Sequence, residues 1–202
     1  MPWRALLLRR PLWAVVVTHF ASTWTLYVLL LWLPSYFRDV QGLSITNAGL
    51  YSAGPWLANL VVTNVAAPIS DAMIRRGVGV TFARKLMQCT GLVVSALLLL
   101  GAREVHSPVA ALLVLCGATG ALGCTWSGYA PSLIDLAPRH GALLAGFSNS
   151  IATIPGIVGV AATGWLVDVT GTYSSAFVLT AAISAVGAIA FALFFTARPL
   201  VE

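Results

Sequence analysis

The chain has 202 residues, of which 59% are hydrophobic and 8% charged; mean hydropathy is +0.91 and formal net charge +5. This composition lies far outside the range of soluble globular domains. The positive charge does not indicate nucleic acid, because the basic residues are scattered at the borders of apolar stretches rather than gathered on one face.

Uncharged runs cover residues 11–37, 40–70, 86–102, 105–134, 140–167 and 169–197. A helix rising about 1.5 Å per residue crosses a hydrocarbon core about 30 Å thick with about 20 apolar residues. The runs therefore predict six membrane spans, A to F, at about 12–37, 45–73, 84–103, 107–134, 141–167 and 173–197. Span C fits if Arg84, Lys85 or Arg103 snorkels to the headgroups. The first run is too long for a secretory h-region, and no small-residue cleavage site follows it. Arg4, Arg9, Arg10, Arg75, Arg76, Arg84, Lys85, Arg139 and Arg198 fall on one side of the bilayer, Arg38 and Arg103 on the other. The positive-inside rule then places both termini in the cytoplasm. It does not distinguish plasma, vesicular, lysosomal or plastid membranes.

Span A carries neutral polar residues (Ser22, Thr23, Trp24, Tyr27) and one titratable residue, His19, read as a hydrogen-bonded packing histidine rather than a proton relay. Span B offers Asn59, Thr63 and Asn64, and Pro55 after Gly54 as a potential bend. The B–C connection is the most basic stretch. There Asp71, four residues before Arg75, is positioned for an ion pair at a helix end. We read Asp71 with Arg75, Arg76, Arg84 and Lys85 as a cytoplasmic latch, against the alternative of a helix terminus with snorkelling arginines. Span D contains Thr125, Trp126, Ser127, Tyr129 and Pro131. Asp135 and Arg139, in the D–E connection, form a second and weaker latch. Span E carries Ser148, Asn149, Ser150 and Thr153 just before Ile154-Pro155-Gly156, a third potential helix break after Pro55 and Pro131. No Asp, Glu, Lys or Arg lies near the midplane of any span, although such residues commonly mark charge pathways. The glycines of spans D and E read as close-packing sites. Cys89, Cys116 and Cys124 lie within spans and suggest neither a disulfide framework nor a metal site. No metal or cofactor is expected.

The chain also repeats itself. Ala48-Gly49-Leu50-Tyr51-Ser52 opens span B and Ala145-Gly146-Phe147-Ser148-Asn149 opens span E, 97 residues later. Each precedes an aspartate (Asp71, Asp168) by 23 residues, with a small residue (Ala67, Gly164) four positions before it. Spans B and E run in opposite directions, so this is an inverted repeat of three spans, a pattern found in secondary transporters.

Three segments carry a family resemblance: Leu12–Phe37, Asn47–Leu57 (NAGLYSAGPWL) and Arg84-Lys85-Leu86-Met87-Gln88. The most specific stretch is Ser127–Gly159 (SGYAPSLIDLAPRHGALLAGFSNSIATIPGIVG). The chain resembles the second half of a sialin-type anion transporter of the major facilitator superfamily, whose members include vesicular glutamate, nucleotide and sialic acid carriers and organellar phosphate carriers. Pro2-Trp3-Arg4 resembles the end of that family's central linker. Residues 1–11 are accordingly expected to be a linker remnant, 12–197 the bundle and 198–202 a cytoplasmic tail.

The resemblance implies an all-α integral membrane fold with six transmembrane helices, forming one 3+3 inverted-repeat bundle of the major facilitator fold. It further implies rocking-bundle transport of an organic or inorganic anion, coupled to a proton, sodium or the membrane potential. Carried onto matching positions, it assigns Trp24, Tyr27, Trp126, Ser148, Asn149 and Thr153 to the cavity wall. This chain has Ser22 where vesicular glutamate carriers have an arginine, which disfavours glutamate. Expected partners are a small anionic substrate, the coupling proton or sodium ion, the lipid bilayer, and either a missing amino-terminal six-helix bundle or a second copy of the chain. The chain reads as a truncated product or partial gene model. Alternatives are a non-transporting or self-dimerising bundle. An intramembrane protease is disfavoured, because it needs a nucleophile facing a base and no Gly-x-Ser-x-Gly or Gly-x-Ser-Gly motif surrounds Ser127 or Ser148.

Overall fold

The computed structural model describes residues 6–200. Among these residues the regular structure is entirely helical. The helices are α1 (Arg10–Asp39), α2 (Ile45–Arg75), α3 (Val80–Gly101), α4 (Pro108–Gly123), α5 (Tyr129–Leu136), α6 (Gly141–Ala152), α7 (Pro155–Thr170) and α8 (Ser174–Phe194). A 3-10 turn, Cys124–Ser127, joins α4 to α5, and α6 and α7 follow one another across Thr153-Ile154. With each broken pair counted as one rod, six helices are long and apolar enough to cross a membrane. The chain is a multi-pass membrane bundle.

Local sequence sets where the rods begin and end. Proline occupies the first turn of α1, α4 and α7, where its missing N–H costs nothing. The Ser44 hydroxyl caps α2 by accepting from the Asn47 N–H at 3.3 Å. Gly171 ends α7 in the left-handed conformation, φ 68°, which a side chain would oppose. The α2–α3 turn likewise places Gly77 at φ 90°.

Hydrogen bonds at the two ends establish the up-and-down order. At one end Gln41 Nε2 donates to the Val105 carbonyl and the Tyr36 hydroxyl, both at 3.2 Å. There too the Tyr173 hydroxyl donates to Asp39 (3.0 Å) and Arg103 to Ser174. The beginnings and ends of α1–α2, α3–α4 and α7–α8 therefore meet on one face. At the other end the Ala197 N–H donates to the Thr81 hydroxyl (2.9 Å) and the Leu200 N–H to the Leu136 carbonyl (2.8 Å). Arg9, Arg10, Arg75, Arg76, Arg84, Lys85, Arg139 and Arg198 all belong to this second end.

Apolar side chains form a layer near each end. Leu12, Val15, Leu133, Leu136, Leu144, Phe191 and Phe195 build the layer on the basic side, and Leu29, Leu33, Phe37, Leu99, Leu115 and Phe177 the opposite one. The middle is packed with small residues. A Cβ on Gly187 would lie 2.5 Å from Ala21 Cβ, and one on Gly91 would lie 2.7 Å from Thr125 Cγ2. These positions allow α1, α3, α4 and α8 to approach closely. Burial is uneven across the bundle: 61% of the core stretch of α1 is buried, against 22% for α6–α7 and 11% for α2. Leu50, Leu57, Leu60, Val61 and Val65 of α2 and Ile157, Val158 and Trp165 of α7 therefore project outward.

Candidate functional site

The site grows from the interruption between α4 and α5. The Gly128 N–H bonds the Thr125 carbonyl at 2.9 Å, a 3-10 turn that uses the acceptor the next N–H would otherwise take. The Tyr129 N–H is thus released, and donates to Gln88 Oε1 on α3 at 3.0 Å. The amide nitrogen of Gln88 donates to Thr18 Oγ1 (2.9 Å) and Ser22 Oγ (3.0 Å) on α1. One fully buried amide therefore ties α1, α3 and the start of α5 together with every contact satisfied. A Cβ on residue 128 would come within 2.5 Å of Gln88 Oε1, so only glycine fits there.

Pro131 completes the break. It has no N–H for the carbonyl four residues earlier, that of Ser127, and this carbonyl turns to Arg84 Nη1 at 3.5 Å. The Arg84 guanidinium also donates to Ser70 Oγ (3.2 Å) and, through Nε, to Asp135 (3.0 Å). Both members of this ion pair are largely buried, with side chains 10% and 22% exposed. It joins the start of α3 to the end of α5, with the end of α2 held alongside.

Two cavities flank Trp126. One, of about 390 Å³, is lined by His19, Trp126, Tyr129, Ala130, Leu133, Ala145, Gly146 and Asn149. The His19 imidazole stacks on Tyr129 at 4.1 Å between centroids, and its Nδ1 is hydrogen-bonded to Ser148 Oγ at 2.8 Å. The other cavity, of about 250 Å³, reaches toward the basic end and is lined by Thr63, Ala67, Ser70, Asp71, Arg84, Trp126, Ser127 and Pro131. The Ser127 hydroxyl in its wall is buried with no hydrogen-bond partner among the described residues. The first cavity offers aromatic surface, an imidazole and an amide, which suit an uncharged or hydroxylated part of a ligand. The guanidinium in the second is already matched by Asp135.

The expected wall residues divide into three groups. Trp126 and Asn149 line the 390 Å³ cavity, and Ser148 lies behind it, fully buried on His19. Trp24 and Tyr27 instead pack against α7, where a Cβ would lie 3.2 Å from Trp24 at Gly159 and 3.4 Å from Tyr27 at Gly156. The glycines draw α7 onto α1, so the Trp24 indole is a packing element and its Nε1 is buried without a partner among the described residues. Thr153 is exposed where α6 ends, with its hydroxyl on the Ser150 carbonyl at 3.0 Å.

The expected latches are regrouped. Arg84 of the first pairs with Asp135 of the second. Asp71 makes no ion pair among the described residues, and Arg75, Arg76, Lys85 and Arg139 are likewise unpaired there. The physical reason is the break in span D: it presents a free carbonyl and a carboxylate to Arg84, whereas Arg75 and Arg76 face solvent at the α2 terminus. Asn59 and Thr63 are not cavity groups of the first kind either. Asn59 donates to the Thr119 carbonyl (2.7 Å) and Thr63 to that of Gly123 (3.3 Å), clamping α2 to α4. Sequence reasoning did not select Gln88, His19 or Tyr129 as site residues. The available signals were a lone amide in span C, the only mid-span histidine, and an aromatic following Ser-Gly.

No family model matches the chain. It is, however, similar over its whole length to a probable chloroplastic anion transporter 4 of rice (Oryza sativa subsp. japonica), at 32% identity across 34% of that protein. A chloroplastic ascorbate transporter of Arabidopsis thaliana is 31% identical over all 202 residues, which cover 37% of its length. The vesicular glutamate transporter 1 of Bos taurus is 37% identical over 78% of this chain and 28% of its own length. The chain thus spans about a third of the curated relatives it matches.

Proposed function

We propose that this chain, which belongs to the anion-transporter family of the major facilitator superfamily, supplies one of two helical bundles that together move a small anion across a membrane by alternating access. The observation that carries the proposal is the cavity bounded by His19, Trp126, Tyr129 and Asn149, which opens beside the broken pair α6–α7. The two least buried rods, α2 and α6–α7, supply the face on which a second bundle would close. In this reading Trp126 and Tyr129 stack on the apolar part of the anion, Asn149 and His19 hydrogen-bond its oxygens, and the compensating positive charge comes from the other bundle. The Arg84–Asp135 pair closes the basic end and parts when that end opens, a rigid-body rocking of one bundle against the other. Whether proton, sodium or membrane potential drives the cycle is decided by charged groups outside this chain.

The test is uptake in proteoliposomes. The 202-residue chain alone is expected to move no phosphate, ascorbate or glutamate, whereas co-reconstitution with the remaining bundle of a plastid relative restores uptake. In that pair, Trp126→Ala and Asn149→Ala each lower uptake tenfold or more. Anion uptake by the chain alone, accompanied by a symmetric cross-linked dimer, would replace this reading with self-pairing.

A further inference from the structure

Away from that cavity, on the outer surface between α1 and α8, runs an apolar groove. Its part at the basic end is about 520 Å³ and is lined by Leu8, Arg10, Trp13, Ala14, Val17, Ala190 and Phe194. Val17 also lines the adjoining part, about 340 Å³, which continues along Phe20, Ala21, Ile183 and Val186 without a polar atom in its lining. From Arg10 to Ala21 the groove follows α1 for about 17 Å at about 1.5 Å per residue, close to half of a hydrocarbon core about 30 Å thick. It is therefore one leaflet deep, apolar within and cationic at its mouth. The Arg10 guanidinium lies 6.0 Å from the Phe194 ring centroid, at the rim. Arg10 and its neighbour Arg9 are both exposed, and neither forms an ion pair among the described residues. Trp13 fixes the level of the interface: its Nε1 donates to the Leu7 carbonyl at 2.7 Å, which holds the indole against the groove rather than in bulk water.

We infer that this groove binds one anionic glycerophospholipid, with an acyl chain along Val17, Phe20, Ile183 and Val186 and the phosphate on Arg10. Charge favours this occupant over a zwitterionic lipid. The quaternary amine of a phosphatidylcholine would sit beside two uncompensated arginines, whereas a phosphatidylglycerol headgroup brings only the complementary charge. A second protein bundle fits the exposed faces of α2 and α6–α7 better than this groove, because those rods are the least covered and the groove lies between two rods already packed together.

The experiment places the 202-residue chain in phosphatidylcholine bilayers doped with brominated phosphatidylglycerol or brominated phosphatidylcholine. The fluorescence lost on changing Trp13→Phe isolates the Trp13 signal from the other six tryptophans. Trp13 is expected to be half-quenched at about fivefold lower mole fraction of the anionic lipid, the effect of one basic residue near a charged surface. Arg10→Gln removes that preference, Arg10→Lys keeps it, and Ala190→Trp, which fills the groove, abolishes quenching by both lipids in a chain of unchanged helical circular dichroism. Equal quenching by the two lipids in the unmodified chain would mean unselective annular lipid, and a preference that survives Arg10→Gln would mean that the headgroup is held elsewhere; either result overturns the site. None of these outcomes depends on transport.

Discussion

At the scale of single residues, Gln88 and Arg84 carry the architecture around the site, and each can be tested by stability. Gln88 receives an N–H that the helix cannot satisfy and donates to two hydroxyls on another rod. Replacing it with leucine keeps the volume but strands the Tyr129 N–H, a loss of about 1–3 kcal/mol in unfolding free energy. Gly128→Ala pushes a methyl into the same amide and is expected to cost about 1–3 kcal/mol through overpacking. Gly146→Ala, which meets open space within a helix, is expected to leave the thermal midpoint unchanged or slightly raised and is the control. For the ion pair, Arg84→Gln leaves a largely buried carboxylate and should cost more than Asp135→Asn, because it also releases Ser70 and the Ser127 carbonyl. Thermal denaturation of the purified chain in detergent ranks all of these.

At the scale of elements, the break in span E was legible because Pro155 follows the polar run directly. The break in span D was less so: Pro131 marks it, but the interruption lies upstream, at the carbonyl the proline cannot serve and the 3-10 turn before it. Pro55 and Pro68, by contrast, lie inside an α2 that continues unbroken from Ile45 to Arg75, with the Pro55 carbonyl accepting from Thr119 at 2.7 Å. A proline thus identifies a freed backbone group but not how its neighbours use it. The same limit applies to the site. Trp126 and Asn149 were recognisable as cavity residues, whereas the turn of Trp24 and Tyr27 toward α7 depends on Gly159 and Gly156, about 130 positions away. Which acid Arg84 selects depends likewise on which helix ends share a face. The clamp between α2 and α4 gives a prediction at this scale. Asn59→Ala should weaken it by about 0.6–1.7 kcal/mol, the range for interhelical hydrogen bonds in membranes, and raise cross-linking variability between cysteines placed on the two rods.

At the scale of the whole molecule, the concentration of arginine and lysine at one end is the feature expected to orient the bundle. Cysteines introduced at Arg76 and Arg139 are expected to react with an impermeant thiol reagent from the cytoplasmic side, and one at Arg103 from the opposite side. Labelling of all three from a single side would dismantle the six-rod topology. The two ends also differ in how they are closed. The face of Arg38 and Arg103 is laced by several side-chain bonds between neighbouring connections, whereas the basic face depends on the Arg84–Asp135 pair and on backbone beyond α8. If the basic end faces the cytoplasm, as the positive-inside rule predicts, that asymmetry puts the stiffer rim on the opposite side.

The backbone beyond Phe194 behaves as a drawstring. By donating from Ala197 and Leu200 it fastens the last rod to the first turn of α3 and to the final carbonyl of α5. A reporter or purification handle spliced in at Phe195 would pull that cord loose, freeing the α5 terminus that holds Asp135 in place. Fusions for trafficking or fluorescence work should therefore begin after Leu200, and a handle at Phe195 should show itself as an early-melting, protease-sensitive protein.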